Sequence, residues 1–209
     1  MKWLVIALAI ALPLHADDDA IDADRPGIAD GSHSMQRGRF QLELGGQFEN
    51  ERNSLPTLLR YGLTDSLELR VENDNGSAPF SAGFKDHFLD SGSTSMGVIG
   101  RWFVARRSYG DLRLVSDFQP NRRWDINPNL GIAMDAQHSK SATGALTVQY
   151  NFTARVNAFV DTGIQRSDVL VDAGGAWVVG NETQLDASVF REVHGRAKTI
   201  WSAGLSRRF

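Results

Sequence analysis

The chain has no cysteine among its 209 residues. That excludes a disulfide framework, a zinc–thiolate site and thiol chemistry. It also lacks a strong charge of either sign: the formal net charge is −3, too small to indicate nucleic-acid binding or a polybasic membrane patch. Past its N-terminal leader, no stretch approaches the ~18 apolar residues that a spanning helix needs. A helical membrane protein is therefore excluded.

What is present begins with that leader. In MKWLVIALAIALPLHA, Lys2 precedes an apolar run from Trp3 to Leu12, Pro13 breaks it, and Leu14-His15-Ala16 ends on a small residue. The run is too short to span a bilayer and has the layout of a secretory signal, residues 1–16. Its removal takes Lys2 with it and moves the net charge from −3 to −4. Residues 17–38, acidic and Gly-containing with little apolar periodicity, are expected to form an irregular periplasmic N-terminal segment. Asp24-Arg25-Pro26-Gly27 within it is either a surface turn, which Pro-Gly favours, or a clasp or plug element.

From residue 39 to the end, apolar and polar residues alternate. In LLRYGLTDSLELRVEND (58–74), Leu59, Tyr61, Leu69 and Val71 fall on one face, and Arg60, Glu68, Arg70 and Glu72 on the other. Leu-Thr-Asp-Ser supplies a tight turn between the two halves. RFQLELGGQF sets Phe40, Leu42 and Leu44 against Gln41 and Glu43; RWDINPNLGIAMD sets Ile126, Leu130 and Ile132 against Asp125, Asn127 and Asn129. Period-two alternation of this kind specifies β-strands. About twelve such segments of roughly ten residues follow one another with no helix between them, and ~9–11 residues is the length of a tilted membrane-crossing strand. The 20 glycines, spread through the strand-like segments, imply bends and close contacts in an all-β fold.

The expected fold is all-β: a closed antiparallel transmembrane β-barrel of about twelve strands over residues 39–209, apolar outward and polar inward. Closure satisfies every backbone group in lipid. The tightest connections, Leu63–Ser66, Thr153–Ala154 and Gly180–Glu182, follow even-numbered strands, as they must if both termini lie in the periplasm. Trp102, Trp124, Trp177, Trp201, Tyr61 and Tyr150 are candidates for aromatic girdles, though a soluble barrel also carries aromatics. A lipocalin-type barrel would reverse the two faces. Leader, strand length and the terminal Phe209 favour the membrane version, in the bacterial outer membrane, with outer-membrane lipid as one partner and the barrel-assembly machinery, met through the C-terminal strand, as another.

Two stretches, ADRPGIADGSHSMQRGRFQLELG and PTLLRYGLTDSLELRV, together with the later LVDAGGAWVVGNETQLDASV and the ending AGLSRRF, resemble the MetA-pathway of phenol degradation family of outer-membrane barrels. The matching residues are Asp24-Arg25-Pro26, Gln41, Glu43, Arg60, Tyr61, Gly62, Glu68, Asp172, Gln184, Asp186 and Phe209, and the likeness spans residues 24–209. The resemblance implies an outer-membrane transporter linked to aromatic-compound degradation.

The inward charges are the candidate site: Glu43, Arg60, Glu68, Arg70, Glu72, Lys85, Arg101, Arg113, Asp125, Asp161, Asp172 and Asp186. Opposite charges on neighbouring strands can pair and hold the barrel open. They can equally line a narrow aqueous path and set its ion preference. The function expected is a passive channel for small solutes. A barrel-borne hydrolase and a non-conducting structural barrel are the alternatives. No catalytic residue is identified: Ser139 beside His138 says little, because strand neighbours point to opposite faces. His33, His87, His138 and His194 show no metal-ligand spacing, and no cofactor is expected.

Overall fold

Alternation at period two fixes which side chains share a face, and a sheet with one apolar and one charged face must separate two media. The computed structural model describes residues 20–49, 52–73, 80–104, 109–135, 137, 139–165, 168–193 and 198–209. The leader, His138, His194 and most of the longer connections lie outside the described residues.

The strands are β1 (Phe40–Glu49), β2 (Arg52–Ser54), β3 (Thr57–Gly62), β4 (Leu67–Asn73), β5 (Phe80–Ser91), β6 (Thr94–Val104), β7 (Tyr109–Asn121), β8 (Trp124–Met134), β9 (Lys140–Asn151), β10 (Val156–Gln165), β11 (Asp168–Val179), β12 (Thr183–Glu192) and β13 (Thr199–Arg208). From β3 to β13 each strand pairs antiparallel with the next in sequence. Both β2 and β3 pair with β1 and are separated only by Leu55-Pro56, so they share one place in the wall. The result is a closed antiparallel barrel of twelve strands. Closure runs along β1 and β13, from Gln41 opposite Arg208 to Phe48 opposite Trp201. Phe40 and Phe209 exchange both backbone hydrogen bonds beyond it, at 3.2 and 2.8 Å.

Turns at the end carrying Phe40 and Phe209 are short: 63–66, 92–93, 122–123, 152–155 and 180–182. Glycines at positive φ make two of them, Gly92 at 61° and Gly180 at 71°, a region that costs glycine nothing. The connection after β5 is only Gly92-Ser93. β5 continues to Ser91, with a bulge between His87 and Leu89.

The outer face is apolar. Leu59, Leu69, Leu130, Ile132, Val160 and Leu185 all expose more than a third of their surface. Trp124 stacks edge-on against Tyr150 near the short-turn end, with Phe40 against Tyr61, while Trp102 and Trp201 lie toward the other end. The inner face is the reverse: Gln41, Glu43, Arg60, Glu68, Arg70 and Lys85 are buried. No helix among the described residues is long and apolar enough to cross a membrane, so any crossing is by strands.

Candidate functional site

The barrel is not hollow. Residues 20–38 lie inside it, although the sequence reads as a periplasmic segment. The segment is irregular, and its backbone donors are satisfied by the wall. Ile21 N–H bonds the carbonyl of Asn181 in the turn before β12. The Glu43 carboxylate accepts from the N–H groups of Asp24 and Arg25 at 3.3 and 3.0 Å. Asp161 accepts from Ile28 N–H at 2.7 Å. Asn129 and the Asp30 backbone exchange two bonds, 2.8 and 2.9 Å. Returning toward the short-turn end, Ser32 N–H donates to Asp117 at 2.8 Å and Met35 N–H to Glu68 at 2.8 Å. An irregular chain inside a protein needs such partners for every polar group. The polar lumen supplies them, which is why a sequence with little periodicity is accommodated there.

Wall glycines make room for it. A Cβ at Gly45 would collide with the Arg25 guanidinium, one at Gly62 with the Gln36 carbonyl, and one at Gly163 would sit 2.6 Å from the Ile28 side chain.

Charge completes the fit. Asp24 lies 2.7 Å from Arg70, 2.9 Å from Lys85 and 3.8 Å from Arg60. Burial alone would raise the Asp24 pKa, but Arg60, Lys85 and Arg70 outweigh it and hold the carboxyl well below its usual range. Asp30 meets Arg70 at 3.1 Å, Arg113 at 3.7 Å and Arg101 at 3.8 Å, and is likewise lowered. Arg25 reaches across to Asp186 at 3.2 Å and to Ser202 at 2.9 Å.

The twelve sequence-predicted residues thus fall into groups. Glu43, Arg60, Glu68, Arg70 and Lys85 surround Asp24; Arg60 also pairs with Glu68 at 2.8 Å and Glu43 at 3.3 Å. Arg101, Arg113 and Glu72 gather near Asp30, with Arg101 3.6 Å from Glu72. Asp186 meets Arg25. Asp161 and Asp172 face one another across β10 and β11, and Asp125 accepts from Gln149 and Asn151. Basic side chains of the wall (Arg60, Arg70, Lys85, Arg101, Arg113) come from β3–β7, whereas Asp125, Asp161, Asp172 and Asp186 come from β8–β12. Pairing across neighbouring strands, the simple expectation, holds for Arg60 with Glu68 and Glu43 and for Arg101 with Asp111. Lys85 pairs instead with the inner segment.

The twelve sequence-predicted residues omit Asp30, Asp111 and Asp117, although alternation puts Asp117 on the polar face with Arg113. Asp111 bridges Arg101 and Arg113 at 2.9 and 2.8 Å, and its place two residues before Arg113 on one strand face was the available signal. Asp30 had none, because nothing local says that its segment enters the barrel.

Two cavities flank the segment. One, of about 250 Å³, opens between it and the wall near Asp117, Asp125, Asn127 and Gln149. The other, of about 180 Å³, lies near Pro56, Thr57, Asn73 and Arg101. Both are lined by Asp24, Arg25, Gly27 and Ala29, which separate them.

Solved structures share this architecture. A KdgM porin in complex with disordered oligogalacturonate is similar at a TM-score of 0.68 and 8% identity, over 81% of this chain and 99% of that one. The COG4313 outer membrane channel from Pseudomonas putida F1 is similar at 0.65 and 12% identity, over 88% and 99%. The fold is that of outer-membrane channels. The CymD monoaromatic hydrocarbon channel follows at 0.53 and 9% identity, over 84% and 89%. No protein-family model and no curated protein sequence matches the chain. The likeness to the MetA-pathway of phenol degradation family therefore stands on the residues that carry it.

Proposed function

We propose that the protein is a passive outer-membrane channel for small solutes, with the lumenal segment 20–38 as its gate. One observation carries this reading: Asp24 and Asp30 ion-pair with Arg70 and Lys85 of the wall while occupying the space between the two cavities. A wall held open by structure alone would pair its charges strand to strand. Here several are paired to a segment that no strand pairing holds along most of its length; an isolated bridge between Arg37 and Gly62 is the exception.

Short turns at the end bearing both barrel termini support a periplasmic position for that end, and the apolar outer face supports outer-membrane lipid as its partner. Assembly through the C-terminal strand belongs to the same proposal; its support is that β13 forms the closing seam and Phe209 extends it. So does a link to aromatic compounds, supported by the family resemblance. A lumen lined this densely with charged side chains favours polar or ionised members of that class over hydrocarbons.

Ion preference tests the reading. Glu68→Gln with Glu72→Gln removes two negative charges beside Arg70. Single channels of this variant in planar bilayers should shift toward anions, and the shift should shrink at 1 M salt, where charges reach only about 3 Å. A folded barrel whose selectivity ignores these charges would contradict a solute path along this wall.

A further inference from the structure

At the short-turn mouth of the barrel, three side chains converge that sequence spacing keeps apart. His33 belongs to the lumenal segment, His87 and Asp90 to β5, and one ligand atom from each lies within 4.8 Å of the others. On a regular strand, residues three apart point to opposite faces. The bulge between His87 and Leu89 inserts Phe88 and restores the phase, so that Asp90, opposite the buried Ser95, shares the inner face with His87. Bulges re-aim side chains in this way.

The ring nitrogens are already sorted. His87 Nδ1 lies 3.3 Å from the Ser32 carbonyl, which can only accept, so Nδ1 carries the hydrogen. His33 Nδ1 lies 3.3 Å from the Asp117 carboxylate and donates likewise. In the neutral rings this leaves each Nε2 with a lone pair for a metal ion. A ring whose Nδ1–H is held by a carboxylate or carbonyl is the oriented form found in metal-ligating histidines. The two rings stack at 5.1 Å between centroids and 19° between planes, so they lie side by side at the mouth. A tetrahedral zinc ion with bonds of about 2 Å holds its ligands roughly 3.3 Å apart. Asp90 is exposed and the His33 side chain is half exposed, so small rotations close that shell.

We propose that His33, His87 and Asp90 bind one divalent transition-metal ion of the zinc class. Two imidazoles and a carboxylate leave one position for water, and imidazole favours zinc-like ions over magnesium. Because His33 sits on the lumenal segment and the other two ligands on the wall, the bound ion fastens the segment at the mouth. The binding step does not depend on the channel reading; its effect on current does.

Titrating mature protein in detergent with zinc chloride, followed by calorimetry, tests the site. One zinc per chain is expected, with magnesium failing to compete. His33→Ala and His87→Ala should each weaken binding about tenfold or more, and His138→Ala with His194→Ala should leave it unchanged. Heat-dependent gel mobility verifies that each variant is folded, with Asp90→Asn, at an exposed strand end, as the alternative to any that is not. Zinc should also slow amide exchange over residues 20–38 in the wild type and not in His87→Ala. Absence of zinc uptake, uptake indifferent to His33 and His87, or unchanged exchange overturns the proposal. Binding and slowed exchange without any fall in single-channel current would uphold the site and count against the gate.

Discussion

Asp24 Oδ1 lies 2.9 Å from Lys85 Nζ, and the Lys85 side chain exposes none of its surface. The lysine belongs to the middle of β5, and the aspartate to a segment that precedes the first strand. A buried ammonium requires a counter-charge, and this wall receives it from a piece of chain outside the sheet. The consequences are testable.

Asp24→Asn removes the charge that Arg60, Arg70 and Lys85 share. Breaking a buried pair costs about 3–5 kcal/mol, and the low end applies here because a cavity of about 250 Å³ adjoins the site and admits water. The loss falls on the lumenal segment rather than on the wall. Faster amide exchange over residues 20–38, larger single-channel current and a shift toward anions are expected, with barrel melting little changed.

Gly163→Val tests the fit without touching charge. The new side chain meets Ile28, whose Cγ2 is 2.6 Å from where a Cβ would stand, while valine suits the strand itself. Protease should cleave residues 20–38 more readily in the variant, and the heat-dependent mobility of the barrel should persist. Unchanged cleavage would mean that the segment does not rest on this wall.

The barrel was legible because alternation repeats in every strand and each repeat reinforces the same division of faces. Leu59 against Arg60, or Leu69 against Glu68, carries the signal locally. The lumenal segment was not legible, because its order comes from contacts such as Asp30 with Asn129 that span most of a hundred residues and leave no period behind. Asp24-Arg25-Pro26-Gly27 invited a choice between turn and plug that only the wall could decide. The His33–His87–Asp90 group was hidden for another reason: a bulge changed which residues share a face, so spacing rules for a regular strand missed it.

The outward face carries its own test. Leu130 and Val160 expose 69% and 57% of their surface. Leu130→Arg or Val160→Arg should cost about 2–4 kcal/mol if placed near the bilayer midplane, measured by denaturant unfolding in lipid vesicles. Asp161→Asn, on the inner face and still able to accept from Ile28, should cost much less. Equal costs would mean that the faces are exchanged.

Glu182, in the turn before β12, pairs with Arg208 at 2.7 Å and Arg39 at 2.8 Å. Its modest burial raises its pKa, but the hydrogen bond and charge of Arg208, then those of Arg39, lower it below the usual carboxylate value. A carboxyl lowered on folding contributes stability above its unfolded pKa and loses it as pH falls through the lower folded value. Glu182→Gln should therefore melt earlier than the wild type at neutral pH, and the gap should close well below about pH 4. A gap that widens in acid would contradict the pairing.

The central claim is that the lumenal segment governs passage through the barrel. Ser32 on the segment and Ser95 on β6 place their hydroxyl oxygens 2.7 Å apart, and the chain has no cysteine to interfere. The double variant S32C/S95C can form one disulfide, whose Cβ atoms need lie only about 3.5–4.5 Å apart. Single-channel recording of this variant, first oxidised and then after reductant, is the most direct measurement. Current should be suppressed while the disulfide holds and should rise to the wild-type level on reduction. Identical current in the two states would show that solutes pass, or fail to pass, without regard to the segment, and would contradict the account.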